Sequence, residues 1–372
     1  MSEFADRVEA VSISGIREVF EAAGADAINL GLGQPDFPTP EHVRAGAQDA
    51  IREHKVDGYT SNKGIEPLRR AIAETYTDTY DLDVTPGDII ATSGASEALH
   101  IAIQAHVNPG EDVIIPDPGF VSYDALTHLA GGRPNPVPLR SDLTMDPETV
   151  EAAITPKTAA FVVNSPANPT GAVQSKADMK AFAEIADRHD VVCISDEVYE
   201  HIVFEGQHYS PATFATSDNV IVISGCSKAH SMTGWRLGWV VASNRRIERM
   251  LRVHQYAQAC ASAPAQYAAK AALTGPQEHV ADMVAAFEAR RDVLLDGLED
   301  AGLPTATPNG AFYVMPEVPD GWVDAVIDNG VVVVPGEAFG DRGAGHARLS
   351  YATSMDELEA AIDVMADAAA TI

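Results

Sequence analysis

The sequence predicts an α/β protein: a mostly parallel, doubly wound sheet in a large domain, and a smaller α+β domain. Three observations predict it. Between residues 89 and 242, short and continuously apolar runs alternate with helical patterns, as in sheets covered on both faces. After Gly275-Pro276 the pattern changes to long helices and scattered strand-like runs. A chain of 372 residues with 46% hydrophobic content is long enough for two cores of ordinary composition.

Taken in order, residues 6–24 space their apolar side chains (Val8, Val11, Ile16, Val19, Phe20) as an amphipathic helix ending near Gly24. Residues 28–32 read as a short strand, followed by Gly31-Leu32-Gly33-Gln34-Pro35-Asp36-Phe37. Gly31 and Gly33 start like a dinucleotide fingerprint, but the third glycine is missing and Pro35 and Pro38 forbid an immediate helix. A tight loop whose backbone closely approaches another group fits better. Residues 41–53 and 67–80 are helical, with Pro67 in a first turn where its missing N–H is harmless. The alternation then runs through strands at 89–92, 112–115, 158–164, 191–195, 219–224 and 237–242, with helices at 96–107, 120–130 and 176–189 between them. A helical stretch at 245–273 should break or kink near Pro264, and another covers 280–299. Strands at 311–315, 331–334 and 348–351 and a helix at 355–369 complete the smaller part. The predicted division is residues 45–275 for the large domain, and 1–44 with 276–372 for the small one.

The charge balance narrows the function classes. With 25 Lys+Arg against 54 Asp+Glu, the net charge is −29. Such a surface repels nucleic-acid phosphates and anionic lipid, so neither is expected as a partner. Lysine is scarce, and an acid-rich, lysine-poor surface on an ordinary core fits life in concentrated salt, where self-repulsion is screened. Cys193, Cys226 and Cys260 are odd in number and lack metal-ligand spacing, which fits reduced thiols in a cytoplasm. The twelve histidines are scattered, so no metal is expected. No apolar run is long enough to span a bilayer, and the acidic start of the sequence lacks a signal-peptide core.

The chemistry concentrates where strands end. Ser224-Gly225-Cys226-Ser227-Lys228 delivers a lysine, and Thr233-Gly234-Trp235-Arg236 an arginine, after an apolar run. Ligands of open α/β sheets bind at such ends, and a lysine there is either a surface residue or a Schiff-base nucleophile. Ser93-Gly94-Ala95-Ser96-Glu97 is an ordinary helix cap or an anion site at a helix N-terminus. Asn168, within Pro166-Ala167-Asn168-Pro169, sits in a rigid turn. Asp196 follows a buried strand, where a carboxylate is costly unless it is paired with a cation. Arg348 opens a late strand, to form a surface ion pair or to grip a carboxylate bidentately. Together these describe one ligand: an anionic group at Ser96 and Arg236, a cationic ring atom at Asp196 and an aldehyde at Lys228, as in pyridoxal phosphate.

As an ordered set, the motifs resemble the class I aminotransferases of fold type I, in the branch that includes bacterial and archaeal aspartate aminotransferases. The set is Leu32-Gly33-Gln34-Pro35-Asp36-Phe37, Tyr59 with Gly64, Gly94-Ala95-Ser96-Glu97, Asn168-Pro169-Thr170-Gly171, Ser195-Asp196-Glu197-Val198-Tyr199, Ser227-Lys228 with Thr233-Gly234-Trp235-Arg236, and Arg348-Leu349-Ser350. The resemblance implies a seven-stranded large sheet, pyridoxal 5′-phosphate as cofactor, and a cytoplasmic homodimer with shared active sites. It also implies residue roles. Lys228 would form the Schiff base and move the substrate proton, Asp196 would pair with the ring nitrogen, and Tyr199 and Asn168 would bond the ring oxygen. Phe120 would stack on the ring. Ala95, Ser96 and Arg236, with Tyr59 of a neighbouring subunit, would hold the phosphate. Arg348, Gly33 and Asn168 would bind the substrate carboxylate. Gly225 stands where some branches place a phosphate-binding Ser or Thr, which leaves Ser224 and Ser227 as substitutes. The implied substrates are an L-amino acid, aspartate-type or aromatic, and a 2-oxo acid. The carbon–sulfur β-lyases share these motifs and stay open as an alternative; a DNA-binding regulator built on such a domain is disfavoured by the charge. Salt adaptation predicts a thermal midpoint that rises from dilute buffer to molar potassium chloride; a midpoint unchanged in dilute buffer would count against it.

Overall fold

A computed structural model of the chain describes residues 4–13, 15 and 27–372. β1 (Ile28–Asn29) pairs with a C-terminal strand, and the next seven strands form the large sheet. These are β2 (Ile89–Thr92), β3 (Asp112–Asp117), β4 (Arg133–Pro138), β5 (Thr158–Asn164), β6 (Val192–Asp196), β7 (Val220–Gly225) and β8 (Gly238–Val241), in the spatial order β2-β8-β7-β6-β5-β3-β4. Only β8 runs against its neighbours. The predicted mostly parallel seven-stranded sheet is therefore present.

Alternate side chains of these strands enter two different cores, which is why their sequences are apolar throughout. Phe161, Val163, Cys193, Val222 and Trp239 pack on one face, with α2 (Glu41–Arg52), α3 (Glu66–Tyr80) and later helices. Ala160, Val162, Ile194, Ile223 and Val240 pack on the other, against α4 (Gly94–His106). A third core gathers the C-terminal elements around Trp322, Phe287 and Leu349, and draws in Leu30, Tyr199 and Ile202 from earlier in the chain.

Several elements differ from the sequence expectation. The four-residue helix α1 (Asp6–Glu9) stops short of the predicted helix at 6–24, and residues 11–13 are irregular. Ser12 and β-branched Ile13 hold a helix poorly; most of the remaining predicted stretch lies outside the described residues. β1 ends at Asn29 because its side chain accepts from the N–H groups of Gly31 (2.9 Å) and Leu32 (3.0 Å), closing a turn instead of continuing the strand to 32. The edge strand β4 escaped the reading because Arg133-Pro134-Asn135-Pro136-Val137-Pro138 looks like a breaker. Its three prolines alternate, so their missing N–H groups all face the open edge, while Arg133 N–H donates toward β3 at Glu111 O (2.8 Å).

α5 (Ser122–Leu129) starts after Phe120, not at it, and the helix expected from 96 starts at Gly94. α6 (Pro147–Ala153) was not anticipated, and α7 (Lys176–His189) matches its expected span. The expected helix at 245–273 is two helices, α8 (Asn244–Ala257) and α9 (Ala263–Thr274), because Pro264 is accommodated in a first turn. Beyond α10 (Glu278–Asp300), the expected strand at 331–334 splits. β10 (Val331–Val332) pairs parallel with β1, while β11 (Val334–Pro335) joins a three-stranded antiparallel sheet with β12 (Ala347–Ser350) and β9 (Tyr313–Val314). α11 (Trp322–Asp328) and α12 (Met355–Thr371) cover this unit. Among the described residues no helix is long and apolar enough to cross a membrane.

One backbone contact fixes the site end of the sheet. A Cβ on Gly238 would lie 2.5 Å from Ala95 N and 2.6 Å from Gly94 C, so β8 touches the start of α4 directly. Gly238→Ala should cost about 1–3 kcal/mol, the range for a small residue enlarged in a packed site. Denaturant unfolding checks this, and an unchanged midpoint would show that the contact is slack.

Candidate active site

Parallel strands of the large sheet end around one cavity of about 260 Å³ and deliver residues to its lining. β2 leads into Gly94, Ala95 and Ser96; β3 into Phe120; β5 into Asn164 and Asn168; β6 ends at Asp196 and leads to Tyr199; β7 leads into Ser227 and Lys228. Antiparallel β8 starts at this same end, which places Arg236 beside it. Gly33, Tyr313 and Arg348 close the cavity from the first loop and the C-terminal unit. Of the residues given a cofactor or substrate role from sequence, Tyr59 is not in the lining and stands 93% exposed on the surface, and of the two candidate serines only Ser227 is in it.

Lys228 Nζ donates to Gly33 O at 2.6 Å and lies 5.6 Å from the centre of the Tyr199 ring. Burial, reinforced by the Arg348 and Arg236 charges and opposed by Asp196, pushes its pKa down to about 8. A substantial neutral fraction, and hence nucleophilicity, follows near neutral pH. Asp196 is 3% exposed, and burial pushes its carboxyl up to about 6, although the Tyr123 hydroxyl donates to Oδ2 at 2.8 Å. A cation from a ligand would relieve that strain. Asn164 ties the adjoining strand ends together: Nδ2 donates to Asp196 O (2.8 Å), and Oδ1 accepts from Asn168 N (2.8 Å).

Arg348 is 2% exposed. Its Nη1 donates to Asn168 Oδ1 at 3.1 Å and its Nη2 to Gly31 O, while Nε is buried with no acceptor. An orphaned buried donor is costly, and a carboxylate would satisfy it. Gly33 carries no side chain because a Cβ there would lie 2.0 Å from Tyr313 Oη.

At the other end of the cavity, no side chain caps α4, so the N–H groups of its first turn remain for an anion. A Cβ on Gly94 would meet Arg236 Nη2 at 2.6 Å, so the guanidinium lies directly on the helix start. Ser96 and Arg236 are exposed, which leaves this end open in the single chain. Of the two serines beside Gly225, Ser224 is committed elsewhere, its hydroxyl donating to Glu200 Oε1 at 2.6 Å, while Ser227 lines the cavity. The residues present thus fit an aldehyde-bearing, phosphorylated, cationic ring: an amine, a buried carboxyl and an uncapped helix start with an arginine all face one space.

Sequence reasoning missed two tyrosines. Tyr123 lies three residues after Phe120, and that spacing alone does not reveal a partner seventy-three positions away. Tyr313 comes from β9, and its hydroxyl is 2.7 Å from that of Tyr199. It also missed Arg290 on α10, which holds Asp36 of the first loop through two 2.8 Å hydrogen bonds. Only the aromatic run Phe312-Tyr313 hinted at any of these.

The Asp196 carboxyl has a clear consequence for the unloaded protein. Because its pKa is raised from 3.8 to about 6, the folded state holds the proton more tightly than the unfolded chain does. The cost of ionising it is absent below pH 3.8, grows through this window and is complete above about pH 6. Asp196→Asn should therefore stabilise the cofactor-free protein at pH 7 by up to about 3 kcal/mol and bring no gain at pH 3.5. Equal effects at both pH values, in denaturant titrations, would refute the assignment.

Residues 25–365 match the family model of aminotransferase classes I and II. A probable aspartate aminotransferase of Methanocaldococcus jannaschii is 43% identical over 371 residues, covering 96% of this chain and 98% of that protein. Aromatic-amino-acid aminotransferase 2 of Thermococcus litoralis is 39% identical, covering 97% of this chain and 96% of that protein. Among solved structures, the Thermus thermophilus aspartate aminotransferase with maleate superposes with a TM-score of 0.94 at 39% identity, covering 99% of this chain and all of that one. The lysine, the buried carboxyl and the helix start meet on a fold shared end to end with those enzymes, and the chain belongs to the class I and II aminotransferases, which work with pyridoxal phosphate.

Proposed function

We propose that this aminotransferase exchanges the amino group of an L-amino acid, aspartate-type or aromatic, with a 2-oxo acid such as 2-oxoglutarate. The observation that carries the reading is the convergence of Lys228, Asp196 and Arg348 on one small cavity. Bound pyridoxal phosphate supplies the reactive aldehyde and an electron-withdrawing ring.

The chain's own groups do the rest. Lys228, partly neutral near pH 8, takes and returns the proton at the substrate α-carbon. Asp196 would pair with the ring nitrogen and favour its protonated form, and that pairing would offset the burial cost of its charge. Tyr199 and Asn168 would hydrogen-bond the ring oxygen, and Phe120 would cover the ring. The Ala95 and Ser96 end of α4 would hold the phosphate with Arg236, and Ser227, which lines the cavity, could help. Arg348, Asn168 and the Gly33 backbone bind the substrate carboxylate, which supplies the acceptor that Arg348 Nε lacks.

The remaining surroundings favour a shared site and bear on the donor. Tyr59, Ser96, Arg236 and Leu32 are all exposed in the single chain, and a homodimer that covered them would complete the phosphate end. We also read residues 45–275 as the large domain and residues 1–44 with 276–372 as the small one, supported by the pairing of β1 with β10. The enzyme is read as cytoplasmic and salt-adapted from its thiols and charge. Leu32, Leu99, Val198 and Tyr313 make an apolar side-chain lining that suits an aromatic donor. Among the described residues lining the cavity, the cations are Lys228, Arg236 and Arg348, so a second carboxylate on an aspartate-type donor needs a partner from a second copy.

Lys228→Ala should abolish turnover and the visible absorbance of the loaded enzyme; a fully active variant ends the reading. A panel of amino donors with 2-oxoglutarate assigns the substrate. Pyruvate and ammonia released from a β-substituted donor without any 2-oxo acid would reassign the chemistry to a β-lyase.

A further inference from the structure

We propose that Tyr313 is a positioning residue: its hydroxyl donates to the Tyr199 hydroxyl and leaves the Tyr199 proton directed into the cavity, toward the cofactor's ring oxygen. The inference rests on the aminotransferase reading and adds a residue from the opposite unit of the fold to the cofactor end of the site.

Four observations carry it. The two hydroxyls are 2.7 Å apart, and both side chains are buried, Tyr313 at 1% and Tyr199 at 3% exposure. The rings meet edge to face with centroids 5.6 Å apart, a packing that holds the hydroxyls in register. Tyr313 Oη presses on the Gly33 backbone, whose carbonyl receives Lys228 Nζ, so the contact leaves the tyrosine little room to turn away. Finally, the Arg348 guanidinium lies 4.8 Å over the Tyr313 ring.

That last contact decides the direction of the hydrogen bond. Two phenols share one bond, and the stronger acid is the better donor. Burial raises the pKa of both and the Arg348 charge lowers both, but the guanidinium lies over the Tyr313 ring itself, whereas Asp196 pushes Tyr199 up further. Tyr313 therefore donates, the Tyr199 oxygen accepts, and the Tyr199 proton is free for an acceptor in the cavity. A tyrosine that has already accepted a hydrogen bond is also the stronger donor, because the chain of bonds polarises it.

The test is a pH titration of the visible absorbance that pyridoxal phosphate gives when linked to the protein. A hydrogen bond donated to the ring oxygen favours the form that has lost its proton, so weakening that bond raises the midpoint. Tyr313→Phe, which removes one oxygen and keeps the ring, should raise it by about 0.5–1 pH unit, a roughly three- to tenfold gain in proton affinity. Tyr199→Phe should raise it further. The double variant should match Tyr199→Phe alone, because Tyr313 acts through Tyr199. A Tyr313→Phe midpoint equal to wild type overturns the proposal, and so does a double variant in which the two shifts add. Wild-type protein that shows no visible band with added pyridoxal phosphate removes the functional reading itself, a separate and earlier failure.

Discussion

Three glycines from distant parts of the chain let backbone lie against backbone where β7, β8 and α4 meet. A Cβ on Gly225 would come within 2.8 Å of Gly238 Cα, and one on Gly238 within 2.5 Å of Ala95 N. Gly94, with φ +78°, turns the chain from β2 into the helix and leaves space that the Arg236 guanidinium fills. Lys228 and Arg236 leave this knot on opposite sides of the same turn region. A side chain at any of the three would move the amine, the arginine or the helix start relative to the others. Gly225 is thus explained by packing: a serine or threonine there, as in other branches of the family, would need β8 to stand farther off.

The electrostatics of the cavity follow from that geometry. A protein of net charge −29 gathers Lys228, Arg236 and Arg348 around one space, with Asp196 as the acidic member of the lining. The two ends are treated differently. Arg348 is sequestered, and its neighbours satisfy only part of its donor capacity. Arg236 and Ser96 remain open to solvent in one chain. An anion with one carboxylate and one phosphate complements the pair, and the net positive lining concentrates such ligands against the repulsion of the outer surface.

Behind Asp196 a second polar layer holds the strand ends. Glu197, fully buried, accepts from Ser195 Oγ (2.8 Å), Ser210 Oγ (2.7 Å) and His208 Nε2 (3.0 Å). Glu200 takes the Ser224 and Tyr80 hydroxyls. Burial tends to neutralise His208, but the Glu197 charge and hydrogen bond prevail and raise its pKa, so the pair is compensated. This layer explains why the residue after the site carboxyl is itself acidic without entering the cavity, and why Ser224 is unavailable there.

Local chemistry made much of this legible. Continuous apolar runs identified six of the seven strands of the large sheet, because a strand buried on both faces must be apolar throughout, and small or polar residues at their ends marked Lys228, Asp196, Asn168, Ser96 and Arg236. β4 was hidden because an edge strand tolerates prolines that an interior strand does not. The break at residues 11–13 in the predicted N-terminal helix went unseen because apolar spacing alone ignores weak helix formers. Tyr123 and Arg290 carry no local signal, and Tyr313 only its place in an aromatic run: each acts on a partner far away in sequence, and only the packing of the C-terminal unit and of α5 against the sheet brings those partners within hydrogen-bond reach. The choice between Ser224 and Ser227 was of the same kind. By itself, the sequence determined the fold class and named the candidate reactive groups, since periodicity and residue type are local properties. The tertiary structure decided which groups share a cavity, which of them burial shifts in charge, and which glycines are forced, because those depend on distances that chain order does not contain.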